Sequence, residues 1–299
     1  MLRGVVCLLA AGGAGACATH RASLDAPSEL TRYLSEVRGL TPDVTPPPST
    51  TARAVTLEST DASITAAQMQ LAMVPTADSH RLLAEAYARR GVLDAAYEHF
   101  TQALALQPRD AAALEGRARV WRDWGLPQLG LNDAHRAVYY APRSASPENT
   151  LGTLLLNLGQ TVQARLAFER ALAQDPSADY ARGNLCFADV LSGNGPRAVA
   201  TCEQARAAQP ALALVRTNLA LAHAVAGDLP AAVRLMARPG HASLAPYDLG
   251  LALLSIGQYP VAATAFDRAV ELDPAFTQAA AQARAARRLA VRADAGSGR

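Results

Sequence analysis

The sequence predicts an all-α protein, a right-handed α-solenoid of about six helix-turn-helix repeats closed by a C-terminal capping helix. Three observations predict it. Prolines recur at Pro108, Pro142, Pro176 and Pro210, about 34 residues apart, and Pro274 closes a later unit. A glycine falls midway through each unit, at Gly91, Gly125, Gly159, Gly193, Gly227 and Gly257. Half of the residues are apolar but only 5% are aromatic, and alanine supplies much of the apolar content. That composition suits closely packed small-residue helices.

In chain order, residues 1–16 read as a signal peptide. Arg3 supplies the charge, Val5, Val6, Leu8 and Leu9 the apolar stretch, and Ala14-Gly15-Ala16 the small residues before Cys17. The apolar run is too short to span a bilayer. Two processing routes are open: cleavage after Ala16 by signal peptidase I, or lipidation of Cys17. The second follows from a resemblance to the lipobox of bacterial lipoproteins, from which Ala14 departs because leucine is usual there. Residues 17–60 contain Thr41-Pro-Asp-Val-Thr-Pro-Pro-Pro-Ser-Thr-Thr51 and little apolar content. Such a segment cannot offset its ordering entropy by burial, so it is expected as a disordered tether. Residues 61–76 are expected to form an N-terminal capping helix.

Residues 77–276 divide into units 77–110, 111–144, 145–178, 179–212, a shortened 213–242, and 243–276. Each closing proline ends a second helix, because it lacks an N–H and clashes with the preceding turn. Each midway glycine permits the left-handed turn that ends a first helix. Small residues recur where the paired helices approach: Ala84, Ala118, Gly152, Cys186, Ala220 and Gly250 on the first helix, and Ala96, Gly130, Ala164, Ala198, Ala232 and Ala262 on the second. Phe100, Phe168 and Phe266 share one slot on the second helix, and Tyr87 and Trp121 share one on the first. In the fifth unit Pro239-Gly240 falls where the second helix should still run, so that helix is expected to stop about a turn early. Residues 277–292 are expected as a capping helix with Arg284, Arg287 and Arg288 facing solvent, and 293–299 as a disordered tail.

Leu83-Ala84-Glu85-Ala86-Tyr87, followed by Ala96, Phe100, Ala103 and Pro108, resembles the tetratricopeptide repeat consensus, and the likeness extends over about two-thirds of the chain. The resemblance implies a concave groove, lined by the first helix of each unit, that binds protein segments. Candidate groove residues are Arg81, Arg119, Arg122, Asn149, Tyr180, Asn184, Phe187, Asn218, Leu221 and Leu251, with Glu115, Thr153 and Tyr247 also on that register. The early units are charged there and the later ones apolar. Asn184 and Asn218 stand where the family can hold a ligand backbone through an amide that both donates and accepts; the other reading has them bonding a neighbouring loop. Leu221 and Leu251 have a second reading too, as packing against the next repeat. The carboxylate-clamp pattern of chaperone-binding members is not met.

Cys186 and Cys202 fall one on each helix of the fourth unit. They read either as a disulfide or as two buried thiols acting as small hydrophobes. His80, His99, His135, His223 and His241 are scattered along the repeats with no spacing that would converge on a metal, and no metal site is expected. No phosphate loop or nucleophile elbow occurs, and the chain is read as non-enzymatic, with no cofactor and no small-molecule substrate. All 28 basic residues are arginine, spread along a chain of net charge +2, which argues against nucleic acid. The lipobox-then-repeat layout is similar to assembly lipoproteins of bacterial pilus and secretion systems, the tight-adherence pili included. The expectation is therefore an exported, periplasm-facing scaffold, touching membrane only through lipid on Cys17. The alternatives are a cytosolic adaptor or co-chaperone-like protein and a structural spacer with no groove ligand.

Overall fold

The computed structural model describes residues 61–237 and 239–297. The expected signal peptide, Cys17 and the tether lie outside the described residues. Those described are all-α, built from fourteen helices: α1 Ala62–Met73, α2 Ala77–Arg89, α3 Leu93–Leu106, α4 Ala111–Asp123, α5 Pro127–Tyr140, α6 Ala145–Asn157, α7 Thr161–Gln174, α8 Asp179–Leu191, α9 Gly195–Ala208, α10 Ala213–Val225, α11 Leu229–Met236, α12 Leu244–Ser255, α13 Tyr259–Leu272 and α14 Thr277–Ser297. From α2 to α13 they alternate as first and second helices of tandem pairs, the arrangement of the α-solenoid class. Two compact units are present, one through Leu154 and one from Leu155, the division falling inside α6.

Local chemistry sets the helix ends. The six midway glycines take φ between 72° and 88°, a left-handed conformation that costs a side-chain-bearing residue energy. At five of them the next residue closes a Schellman bond to a carbonyl five residues back: Val92 to Tyr87, Leu126 to Trp121, Gln160 to Leu155, Asp228 to His223 and Gln258 to Leu253, all at 2.9–3.0 Å. The residues before the closing prolines (Gln107, Ala141, Asp175, Gln209 and Asp273) have φ between −128° and −145°, as a following proline ring requires. Second helices α5, α9, α11 and α13 carry proline within their first two positions, where a missing N–H is harmless.

In the unit through Leu154, α1 packs on α2 through buried Ile64 and Ala67. Gln68 donates to the Tyr87 hydroxyl at 3.0 Å, and Arg90 lies 2.7 Å from Asp61. Phe100 is 1% exposed under α4, where Gly116 leaves the room: a Cβ there would come within 2.2 Å of the ring. Tyr97, Trp121 and Trp124 form a cluster with centroids 5.1–5.3 Å apart, Trp121 meeting each of the other two edge-on.

In the unit from Leu155, Phe168 and Phe266 are fully buried, each worth about 2–3 kcal/mol of burial. Gly250 faces the Phe266 ring as Gly116 faces Phe100. Two expectations need correction. Helix α11 has 8 residues where the other second helices have 14, so it ends about 1.7 turns early, at Met236, rather than about one. Helix α14 continues through Ser297, across most of the stretch expected as a tail, because Ala-rich sequence propagates a helix already anchored by buried Ala279, Ala283 and Ala286.

Candidate protein-binding faces

The first helices of the unit through Leu154 carry charge, and almost every charge has a partner. Arg81 reaches Glu85 at 2.8 Å, Asp78 at 3.1 Å and Asp110 at 3.5 Å. Arg122 pairs with Asp123 at 2.8 Å and donates to Thr153 Oγ1 at 3.2 Å. Glu115 is not displayed as its register suggested. It is 6% exposed and accepts from Ser146 Oγ at 2.6 Å and Thr150 Oγ1 at 2.8 Å, both on α6. Thr153 is likewise buried. Arg119 is the more available cation: its side chain is 45% exposed, and its nearest acid is that same Glu115, at 3.7 Å. Asn149 is half-buried on α6.

In the unit from Leu155, Tyr180, Asn184 and Phe187 stand at positions i, i+4 and i+7 of α8 and so share a face. Tyr180 is 47% exposed; Asn184 and Phe187 are half-buried, the phenylalanine leaning on the core. Leu251, on α12, is 39% exposed. Three expected groove residues are instead interior. Asn218 and Leu221, on α10, are 5% and 4% exposed, because α10 packs against α8, α9, α11 and α12 at once. Tyr247 is 8% exposed between Phe266 and Phe276, with centroids at 5.5 and 4.7 Å.

Cys186 on α8 and Cys202 on α9 are joined in a disulfide, with Cα atoms 4.7 Å apart and both side chains fully buried. They occupy the slots that hold Gly250 and Phe266 two repeats later. A covalent bond there replaces a ring packed against a small residue.

Sequence reasoning missed one pair. His80 on α2 and His99 on α3 lie with Nδ1 atoms 3.0 Å apart, correcting the expectation that the histidines stay separate. The Tyr87 ring stacks on His99 at 5.8 Å and 4°. Burial lowers the His80 imidazole below its ordinary range; burial and then the His80 charge lower His99 to about 4. The signal lay in the spacing: 19 residues also separate Gln68 from Tyr87, which meet across neighbouring antiparallel helices. Among the described residues no three or more His, Cys, Asp or Glu side chains gather as a metal cage, and no helix is long and apolar enough to cross a membrane.

Three segments match the tetratricopeptide repeat family: residues 79–112, 149–191 and 247–276. The chain is similar to PilW, described as a widely conserved type IV pilus biogenesis factor, at 20% identity over 68% of this chain and 96% of that one, with a TM-score of 0.53. It is similar to PilF of Pseudomonas aeruginosa at 17% identity over 68% and 94%, with a TM-score of 0.51. Against the Cut9–Hcn1 hetero-tetramer of the APC/C, identity is 15% over 86% of this chain and 51% of that one, with a TM-score of 0.59. At such identities the likeness is one of fold. No curated protein matches the chain.

Proposed function

We propose, from the premise that this chain is a tetratricopeptide-repeat protein and hence a non-enzymatic protein-binding scaffold, that it works outside the cytoplasm as a lipoprotein assembling an envelope complex of pilus or secretion type. The observation that carries the binding part is the α8 face. A half-exposed Tyr180 in line with Asn184 and Phe187 offers aromatic contact area at low entropic cost, with an amide beside it. Arg81, Arg119, Arg122 and Asn149 form a second, charged face in the other unit, and Leu251 adds apolar surface on α12.

Three things support export: the Arg3-to-Cys17 pattern, the Cys186–Cys202 bond, which suits an oxidising compartment, and the likeness to PilW, a type IV pilus biogenesis factor. Tyr180→Ala combined with Phe187→Ala should weaken capture of partners from native membranes while leaving helical content unchanged. Unchanged capture favours a spacer. Mass measurement of the mature N-terminus after fractionation tests the anchor: an acylated Cys17 in the membrane fraction supports it, and an intact Met1 in the soluble fraction defeats it.

A further inference from the structure

We propose that His80 and His99 form a two-histidine site for a divalent transition-metal ion of the Cu(II) or Ni(II) type, on the outer pair of the repeat array. The geometry is the argument. Their Nδ1 atoms stand 3.0 Å apart, one from each helix of the α2–α3 pair. Metal–imidazole bonds of about 2.0–2.1 Å spanning that gap enclose an angle of about 91–97° at the metal. That is near the right angle of a square-planar or tetragonal ion, whereas a tetrahedral ion needs the nitrogens about 3.3 Å apart. Imidazole nitrogen is a favoured ligand for both ions.

The rings are also held in place. Tyr87 stacks flat on His99, and its hydroxyl is fixed by Gln68 from α1 at 3.0 Å. His80 follows Ser79, whose hydroxyl and backbone close the capping box with Thr76 at the start of α2. Support of this kind orients ligands and tunes affinity. Without metal, one neutral ring donates its Nδ1 proton to the other. On binding, the donor ring carries that proton at Nε2 instead, exchanged through water, so both Nδ1 lone pairs face the ion and no net proton is released. Water, or a donor atom from a bound partner, completes the coordination.

The test is a Cu(II) titration of the metal-free full chain at neutral pH, followed by visible absorption and electron paramagnetic resonance. The expected result is a site with two nitrogen ligands that is weakened at least about tenfold by His80→Gln and equally by His99→Gln, with no further loss in the double variant. His135→Gln and His223→Gln should leave it unchanged. Affinity unaltered by His80→Gln and His99→Gln overturns the proposal. Circular dichroism checks that the variants fold. Should either fail to fold, the wild-type chain labelled with 15N-histidine decides: substoichiometric Cu(II) should broaden the His80 and His99 ring resonances before any other, and broadening that begins elsewhere refutes the site.

Discussion

The two units hold their helix pairs together by different chemistry. Through Leu154 the interior admits polar groups: Ser79, Glu115, Asp133, Glu148, Thr150 and Thr153 are all buried, against Asp189 and Asn218 from Leu155 onward. Arg117 shows how the first unit uses them. Its guanidinium grips Asp133 with two bonds of 2.7 and 3.0 Å, donates to Thr101 at 3.2 Å and lies over the Tyr97 ring, so one side chain of α4 ties α3 to α5. Among the described residues of the second unit, buried Asp189 accepts from Thr201 Oγ1 at 3.0 Å and lies 2.9 Å from Arg197, but its Oδ1 takes no hydrogen bond; elsewhere the unit depends on alanine, phenylalanine and the disulfide. Polar clamps fix register but tolerate no missing partner. Apolar slots tolerate substitution if volume is kept.

The largest expected effect follows directly. Asp133→Ala strands the Arg117 guanidinium, whose side chain is only 18% exposed, and should cost about 3–5 kcal/mol in denaturant unfolding. Replacing both partners, Arg117→Met with Asp133→Leu, should recover most of that loss. A double variant as unstable as the single would show that shape, not unpaired charge, sets the cost.

Next comes the disulfide. Reducing a bond that closes a 16-residue separation should lower stability by about 3 kcal/mol on the chain-entropy account. Cys186→Ala with Cys202→Phe rebuilds the small-residue and phenylalanine pair found at Ala84 and Phe100, and should regain part of the loss through buried ring area. Reductant that leaves the wild-type chain unmoved would mean the bridge does not form in solution.

How much of this could be read from sequence depends on the length scale. Helix ends were legible because they are decided within a few residues: glycine at positive φ and proline after an extended residue announce themselves. The shortened fifth pair was legible through Pro239-Gly240 for the same reason. Exposure was not. Repeat register tells which residues share a helix face, but not how far the neighbouring pairs cover it, so Asn218, Leu221 and Tyr247 were assigned to a groove and belong to the interior. Glu115 looked like a groove acid until Ser146 and Thr150, on the next pair, supplied its hydrogen bonds. His80 and His99 were missed because the eye groups histidines by short spacing, whereas paired helices bring together residues 16 to 19 apart.

A smaller effect distinguishes the units by pH. In the presence of a chelator, His99 is held neutral down to about 4 in the folded chain, against an ordinary value of 6.5, so the unfolded chain binds the extra proton between those limits. The stability this contributes is complete above pH 6.5 and is lost as pH falls toward 4. Melting temperature should therefore fall less steeply over that interval in His99→Gln than in wild type; parallel curves would mean that His99 titrates normally.

The smallest expected effect tests whether the polar habit of the first unit can be transplanted. Asp110 and Leu212 occupy the same N-cap slot three repeats apart, with nearly the same backbone, φ −66° and ψ 103° against φ −76° and ψ 114°. Asp110 accepts from the Ala112 and Ala113 amides, while Leu212 leaves the corresponding donors of α10 without a side-chain cap. Asp110→Ala should cost about 1 kcal/mol, and Leu212→Asp should gain a similar amount, since the leucine is already 38% exposed and gives up little buried area. A gain at residue 212 would show that the second unit is unclamped by sequence, not by geometry. A loss would mean that the part of the Leu212 side chain already buried contributes more than a cap returns.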